Sequence, residues 1–113
     1  MKIINKTQGT ILATEVEIAD SILSRLVGLL NRASLSENAG LIITDCRSIH
    51  MFFMRFAIDV IFLDRRYKVV GLVKGIKPFR LSPYFWRAYY AVELPSGTIN
   101  KSKVNVGDQL SVE

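Results

Sequence analysis

Apolar and polar residues alternate near the start of the chain, a pattern typical of a β-strand with one solvated face. The alternation runs over residues 12–18 and follows an apolar run at residues 1–5. Gln8 and Gly9 lie between the two runs and have the composition of a tight turn. These three features together predict an N-terminal β-hairpin.

The period of the apolar pattern changes after Asp20, a residue type suited to a helix N-cap because its carboxylate accepts backbone N–H bonds. The next apolar side chains recur at helical spacing and form one stripe. They are Ile22, Leu23, Leu26, Leu29 and Leu30. We therefore predict one main helix over about residues 21–31.

The remaining chain has a β-like character. Short apolar runs that predict strands occur at residues 41–44, 58–63, 68–74, 88–94 and within 104–113. A chain of about six or seven short strands and one helix protects its strand edges by curling the sheet. The predicted fold class is therefore α+β and β-dominated, with a small barrel-like or strongly curled mixed sheet that packs against one main helix.

Composition narrows the class of protein. The chain has 113 residues, half of them hydrophobic, which predicts a single domain, residues 1–113, with a packed core. One Cys excludes an intramolecular disulfide framework and a multi-Cys zinc site. No apolar run is long enough to span a membrane, and no secretory signal is visible. We therefore expect a small, soluble, cytoplasmic protein.

The net charge of +5 is unevenly distributed. Residues 65–103 hold nine basic side chains and one acid, and they also hold seven of the eleven aromatic residues. Basic and aromatic side chains interleaved in this way occur in proteins that bind single-stranded nucleic acid. They also occur on solvated β surfaces, and no nucleic-acid motif is present. The block favours an anionic ligand or an acidic partner over nucleic acid.

Cys46, His50 and Met54 follow one another at intervals of four residues, so a helix would place them on one face. The three side chains are ligands of the kind that copper prefers, which makes them weak candidates for a metal site. Cys46 is also a candidate nucleophile with His50 as its base, oriented by Asp45 or Asp59. A lone Cys is more often a small buried hydrophobe, and Met54 beside several Phe residues is typical of a core.

Two acids interrupt the most apolar predicted strands. Asp59 lies between Ile58 and Val60, and Glu93 lies in the run at residues 88–94. A buried carboxylate needs a donor, and arginines are the nearest candidates along the chain. These side chains form either structural ion pairs or the lining of a polar pocket. The candidate ligand-binding residues are His50, Arg55, Asp59, Glu93, Arg32 and Arg47.

Residues 46–64, with the sequence CRSIHMFFMRFAIDVIFLD, resemble the central motif of a widespread uncharacterised prokaryotic family. The family is catalogued as domain of unknown function number 192. Three further stretches, at residues 26–32, 92–97 and 106–108, match its other motifs, so the resemblance covers nearly the whole chain. It implies a compact β-dominated fold with one main helix, and it does not indicate which reaction, if any, the protein performs.

Two departures from the family pattern lie within the central motif. Met51 occupies a position where Thr is usual, and Ala57 occupies a position where Pro is usual. Loss of the hydroxyl removes a hydrogen-bond donor beside His50. Loss of the proline loosens the entry to the following strand.

The pattern as a whole favours a small binding module over an enzyme, with no cofactor predicted. Its ligand would be a small polar or anionic molecule, or a peptide or protein partner, bound around His50, Arg55 and Asp59. Two alternatives stay open: an enzyme or metal site at Cys46 and His50, and single-stranded nucleic-acid binding by residues 65–103. The oligomeric state is not predicted.

Overall fold

The computed structural model describes residues 1–20, 35–52 and 54–113 of the chain. Within these residues the chain forms eight strands, arranged in two sheets, and one short helix. The elements are β1 (Ile3–Asn5), β2 (Thr10–Ala13), β3 (Glu15–Ala19), β4 (Ala39–Thr44), β5 (Ile58–Leu63), β6 (Val69–Ile76), β7 (Tyr90–Pro95), α1 (Thr98–Lys101) and β8 (Leu110–Val112). In this part of the chain no helix is long and apolar enough to cross a membrane.

The larger sheet has five strands in the order β3-β4-β7-β5-β6. β3 and β4 are parallel, and the other neighbours are antiparallel, so the sheet is mixed as predicted. The smaller sheet has the order β2-β1-β8 and joins the two ends of the chain. The N–H of Lys2 donates to the carbonyl of Glu113 at 2.6 Å, and the N–H of Glu113 donates back to Lys2.

The two sheets face each other across a layer of apolar side chains that we call the upper core. Its buried members are Ile3, Leu12, Ala13, Ile42, Ile61, Leu63, Val69, Val92, Leu94, Ile99, Val104 and Leu110. The sheets approach closely at Gly40 of β4, where a Cβ atom would lie 3.0 Å from the Cβ of Ala13. Glycine at this position allows the small sheet to pack directly on the large one.

The opposite face of the large sheet carries a second apolar cluster, the lower core. Its buried members are Ala19, Leu41, Ile43, Cys46, Ile49, Met51, Met54, Ile58, Val60, Phe62, Ile76, Ala88 and Ala91. Among the residues described, residues 45–52, 54–57 and 77–89 cover this face, and the segments hydrogen-bond to one another. Because both faces are covered, all six residues of β5 are buried, which explains its continuous apolar run.

Residues 77–89 close over the lower core through Phe85. Its ring packs against that of Phe62, with 4.5 Å between the centroids. A Cβ atom at Gly71, the partner of Phe62 in β6, would clash with the Phe85 ring. The missing side chain at Gly71 therefore provides the space that this ring occupies.

The sequence predictions for the fold are confirmed in part. The chain is β-dominated, and β5 has the predicted bounds, but the large sheet is open, with β3 and β6 at its edges in the described residues, rather than closed into a barrel. The predicted strand over residues 12–18 is wrong: it divides at Thr14, where the chain passes from one sheet to the other. The predicted helix over about residues 21–31 lies outside the described residues.

Candidate functional site

Asp59 is buried, with 1% of its surface exposed, and its carboxylate accepts three backbone hydrogen bonds. One oxygen accepts the N–H of Gly75 at 2.8 Å, in a bulge of β6 where Gly75 has φ of +60°. The other oxygen accepts the N–H groups of Gly97 at 3.1 Å and Ile99 at 2.9 Å, at the start of α1. The carboxylate thus ties the bulge and α1 to β5.

Glu93 is fully buried, and it projects from the other face of the large sheet. It lies opposite Val60 in the strand register, and directly opposed residues project from one face. Val60 belongs to the lower core, so Glu93 projects there. Asp59 lies opposite Leu94 of the upper core. The structure therefore does not bring the two predicted acids together.

His50 lies in the segment that covers the lower core. Ile49 and Met51, the residues on either side of it, are buried in that core. Because successive side chains of an extended segment point to opposite sides, His50 projects away from the core. Its ring stacks on Phe52 with 5.2 Å between the centroids, and its backbone forms a bridge with Leu81.

The other residues of the predicted motif have different surroundings. Cys46 is 4% exposed, and its thiol donates a hydrogen bond to the carbonyl of Ser48 at 3.1 Å. Met54 is buried in the lower core, whereas Arg55 is exposed. Arg32 lies outside the described residues. Among those that are described, no three His, Cys, Asp or Glu side chains form a group that could hold a metal ion.

Arg47 is a predicted site residue that lines a pocket in the described part of the chain. The pocket is open, has a volume of about 430 Å³ and lies between the β5–β6 turn and the segment before β7. Its lining residues are Arg47, Asp64, Arg65, Arg66, Trp86, Arg87, Ala88 and Tyr89. We call this the arginine pocket, because four guanidinium groups and one carboxylate supply its charge.

The acid in the arginine pocket is engaged in a turn. One oxygen of Asp64 accepts the N–H groups of Arg66 and Lys68, each at 2.9 Å. The main chain closes the same turn with a bond from the N–H of Tyr67, at φ of +64°, to the carbonyl of Asp64. The carboxylate fixes the turn that presents Arg65 and Arg66, and one acid leaves the excess of positive charge in place.

Neighbouring side chains orient two of the arginines. Arg65 lies over the ring of Tyr89, with 4.2 Å from its Cζ to the ring centroid, a cation–π contact. Arg47 donates to the exposed Asp45 at 2.7 Å, and this hydrogen bond is the main reason that the pKa of Arg47 is raised further above its ordinary value. Both arginines line the pocket, and a neighbouring side chain holds each guanidinium group.

Tyrosines behind Tyr89 form a continuous aromatic group. The rings of Tyr89 and Tyr90 meet edge to face with 4.9 Å between centroids, and Tyr67 lies 4.9 Å from Tyr90. The hydrogen bond with Tyr67, followed by burial, raises the pKa of Tyr90, while the charge of Arg65 lowers it. The group packs behind Tyr89 and supports the pocket wall.

A larger cavity of about 660 Å³ lies at the other end of the molecule, between the β1–β2 turn and α1. Its two charged lining residues, Lys101 and Glu37, form an ion pair at 3.0 Å. The remaining lining is mostly small or uncharged. Volume alone would favour this cavity as the ligand site, but its lining residues have no unpaired charge that could recognise a charged ligand.

Sequence reasoning named Arg47 as a site residue but missed Arg65, Arg66 and Arg87 as its companions. The signal was present, since all three belong to the basic block at residues 65–103. The block alone could not show which of its nine cations converge. Convergence depends on the hairpin turn at Asp64 and on the return of the chain at residues 86–89, which are distant from Arg47 in sequence.

The sequence profile of a family described as an uncharacterised group, DUF192, matches residues 3–112. The chain belongs to the DUF192 family. A UPF0127 protein of Thermococcus sibiricus is 37% identical over 98% of this DUF192 chain and 74% of its own length. A UPF0127 protein of Pyrococcus furiosus is 38% identical over 95% of the chain and 94% of its own length.

Two solved structures share the fold of this DUF192 protein. A Novosphingobium aromaticivorans protein of unknown function superposes with a TM-score of 0.83 and 18% identity, over 99% of this chain and 84% of that one. A Sinorhizobium meliloti protein, described as a candidate transcription regulator, gives a TM-score of 0.81 and 20% identity over 97% and 89%. At such identities the likeness concerns the fold alone.

Proposed function

We propose that this DUF192 protein is a binding module for a small anionic ligand, and that the arginine pocket is its site. The observation that carries the proposal is the convergence of four arginines on one open pocket, where two acids, Asp64 in a turn and Asp45 bonded to Arg47, leave an excess of positive charge. Guanidinium groups donate paired hydrogen bonds to phosphate and carboxylate oxygens, so such a pocket suits either anion.

The proposal moves the site away from the residues that the sequence motif suggests. Asp59 supports the bulge and α1 with its carboxylate, and Glu93 projects from the opposite face of the sheet. His50 and Arg55 line neither of the two pockets described above. The arginine pocket, by contrast, combines concave shape with charge, and these two properties together are typical of ligand sites.

Trp86 and Tyr89 give the pocket an aromatic wall beside its cations. Aromatic faces stack on planar ligand groups, so a ligand with both an anionic group and a ring would use both features. A nucleotide and a single-stranded nucleic acid share this chemistry. Because a protein of similar fold is described as a candidate transcription regulator, the test includes an oligonucleotide.

The test is a fluorescence titration that uses Trp86, the one tryptophan of the chain and a residue of the pocket wall. The probes are inorganic pyrophosphate, adenosine diphosphate, adenosine and single-stranded oligothymidylate. We expect saturable binding of both phosphate-bearing small molecules and weaker or no binding of adenosine. Tight binding of the oligonucleotide, with no response to the small anions, would replace the small ligand by nucleic acid.

The matched variants each remove two positive charges. Arg65→Gln/Arg66→Gln changes the pocket, and Lys2→Gln/Lys6→Gln changes exposed cations outside its lining. Loss of charge-assisted hydrogen bonds predicts that the pocket variant binds pyrophosphate about tenfold more weakly or worse, whereas the control binds as the wild type does. If the two variants weaken pyrophosphate binding equally, the binding depends on the overall charge of the protein and not on the pocket, which would contradict the proposal.

A further inference from the structure

A group of large apolar side chains is exposed on the outside of the segments that cover the lower core. We call it the apolar loop surface, and it consists of Phe52, Phe79, Leu81, Tyr84 and Trp86. Phe79 and Leu81 are each 67% exposed, and Trp86 is 82% exposed. Scattered exposed apolar residues are ordinary, but a contiguous group marks an interaction surface.

The pairing of the two covering segments brings Phe79 and Leu81 alongside residues 50–52. The N–H of Met51 donates to the carbonyl of Arg80, and the N–H of Phe79 donates to the carbonyl of Met51, each at 2.8 Å. Leu81 lies opposite His50, whose ring stacks on Phe52. Farther along, the rings of Tyr84 and Trp86 meet edge to face with 4.8 Å between centroids.

The backbone presents Phe79 to solvent at a conformational cost. Phe79 has φ of +63°, a left-handed conformation that bulky side chains rarely adopt. The ring gains little from burial in the protein, and Asn or Gly would fit the backbone better. Strain that is retained without a folding benefit is a sign of function.

Exposed cations lie close in sequence to the residues of the apolar loop surface. Arg55, Lys77, Arg80 and Arg87 are all exposed, and residues 65–92 contain no acidic side chain. The surface therefore combines apolar side chains and aromatic rings with polar edges, and its segments carry an excess of positive charge. Acidic residues, which would repel an anionic partner, lie outside residues 65–92.

We propose that the apolar loop surface docks on an anionic lipid bilayer. Lysine and arginine are attracted to anionic headgroups, and Trp and Tyr favour the interfacial region of a membrane. Phe79 and Leu81 are the side chains that would enter the acyl boundary. Leu81 has no ring to stack on a base, which favours a bilayer over nucleic acid.

The docking surface is separate from the proposed ligand function, although the two share an edge. Trp86 and Arg87 also line the arginine pocket, whereas Phe79 and Leu81 do not. Variants at Phe79 and Leu81 therefore test the docking surface alone. Binding of pyrophosphate by such variants tests the pocket separately.

The experiment mixes the full chain with vesicles of phosphatidylcholine alone, or with phosphatidylglycerol added in equal part. We expect cosedimentation with the anionic vesicles, weaker binding as salt is raised, and little binding to the neutral vesicles. The fluorescence of Trp86 should shift to shorter wavelength and be quenched by brominated lipid, since it is the single tryptophan. Absence of cosedimentation with anionic vesicles at low salt would overturn the proposal.

The decisive variant is Phe79→Asn/Leu81→Ser, compared with Ile11→Ser/Val106→Asn, which removes two exposed apolar side chains outside the surface. We expect the first to weaken vesicle partitioning about tenfold or more, because two buried apolar side chains are lost at the bilayer, and the second to change it little. Pyrophosphate binding should be unchanged in both. Equal partitioning of the two variants would contradict the proposal, and so would vesicle-independent binding of oligothymidylate that only the first variant loses.

Discussion

The two faces of the five-stranded sheet are covered in different ways. A second sheet and α1 cover the upper face, and three polar side chains buried there are hydrogen-bonded. Asn5 donates to Asp108 at 2.9 Å, Asp108 also accepts the N–H of Asn105, and Asp59 holds α1 and the bulge. The polar side chains of this face form hydrogen bonds that hold strands and turns together.

Among the residues described, the lower face is covered by residues 45–52, 54–57 and 77–89, which contain no long strand. Their inner side chains, such as Ile49 and Met51, fill the lower core. Their outer side chains form the apolar loop surface and much of the arginine pocket. Loops on a rigid scaffold commonly carry function in this way. The difference suggests that the upper face determines stability and that the lower face determines binding.

The largest expected effect is on the upper face, at Asp59. Asp59→Ala leaves three backbone N–H groups in or near the core without their acceptor, and each such loss costs about 1–3 kcal/mol. We expect the free energy of unfolding, measured in urea, to fall by about 5 kcal/mol. Asp64→Ala is the control, because its two backbone bonds are exposed and should cost about 1 kcal/mol. If the two variants lose similar amounts of unfolding free energy, Asp59 contributes no more to stability than an exposed acid does.

A pair of core truncations compares the two faces directly. Leu94 and Met51 are both fully buried, the first in the upper core and the second in the lower core. Truncation to Ala costs about 2–5 kcal/mol, depending on how far the surroundings collapse. Two packed sheets collapse less than a covering segment, so we expect about 4 kcal/mol for Leu94→Ala and about 2 kcal/mol for Met51→Ala. If urea unfolding shows a larger loss of stability for Met51→Ala than for Leu94→Ala, the expected difference between the two faces is wrong.

Local patterns in the sequence predicted most of the large sheet, since apolar runs directly report burial. The strand division at Thr14 could not be predicted, because the alternation continues across it. The division depends on Asn38, whose carbonyl accepts the N–H groups of both Thr14 and Glu15, each at 3.0 Å. A contact with a residue so distant in sequence leaves no local signal.

The candidate site was harder to predict than the fold. The motif at residues 46–64 drew attention to Asp59, since an acid in an apolar strand has either a structural or a functional role. The sequence could not show that Gly75, Gly97 and Ile99 supply its three donors. The basic block was visible, but its convergence with Arg47 depends on tertiary structure.

A smaller effect is expected from the pH dependence of the upper face, at Asp108. Burial alone would raise the pKa of Asp108, but its hydrogen bonds with Asn5, Asn105 and Gln8 outweigh burial and lower it. A pKa that is lower in the folded protein gives stability that is present above the unfolded pKa, about 4, and is lost as pH falls through the folded pKa. Acidification should therefore destabilise the wild type at this residue.

Asp108→Asn removes that titration. We expect the variant to be about 2 kcal/mol less stable than the wild type near pH 7, from weakened bonds to Asn5 and Asn105, and the difference to shrink as pH falls toward about 3. Urea unfolding across this range measures it. Asp20→Asn, at an exposed acid, controls for the loss of one charge. A difference that stays constant with pH would show that Asp108 does not titrate with folding.

The smallest expected effect lies beside the arginine pocket, in the titration of Tyr90. The pKa of Tyr90 is raised chiefly by its hydrogen bond with Tyr67 and by burial, while the charge of Arg65 lowers it. Tyr67→Phe should therefore move the pKa of Tyr90 down toward its ordinary value, about 10, and Arg65→Gln should move it up.

Magnetic resonance of ring-labelled tyrosine measures the two shifts, with Tyr90→Phe to assign the signal. Opposite shifts would show that Arg65 acts on the tyrosine group in solution and that the pocket wall keeps the arrangement of the structure. If neither variant moves the pKa of Tyr90, the arginine is not held against the rings. The arginine pocket would then lack the rigid wall that distinguishes a binding site from a patch of surface charge.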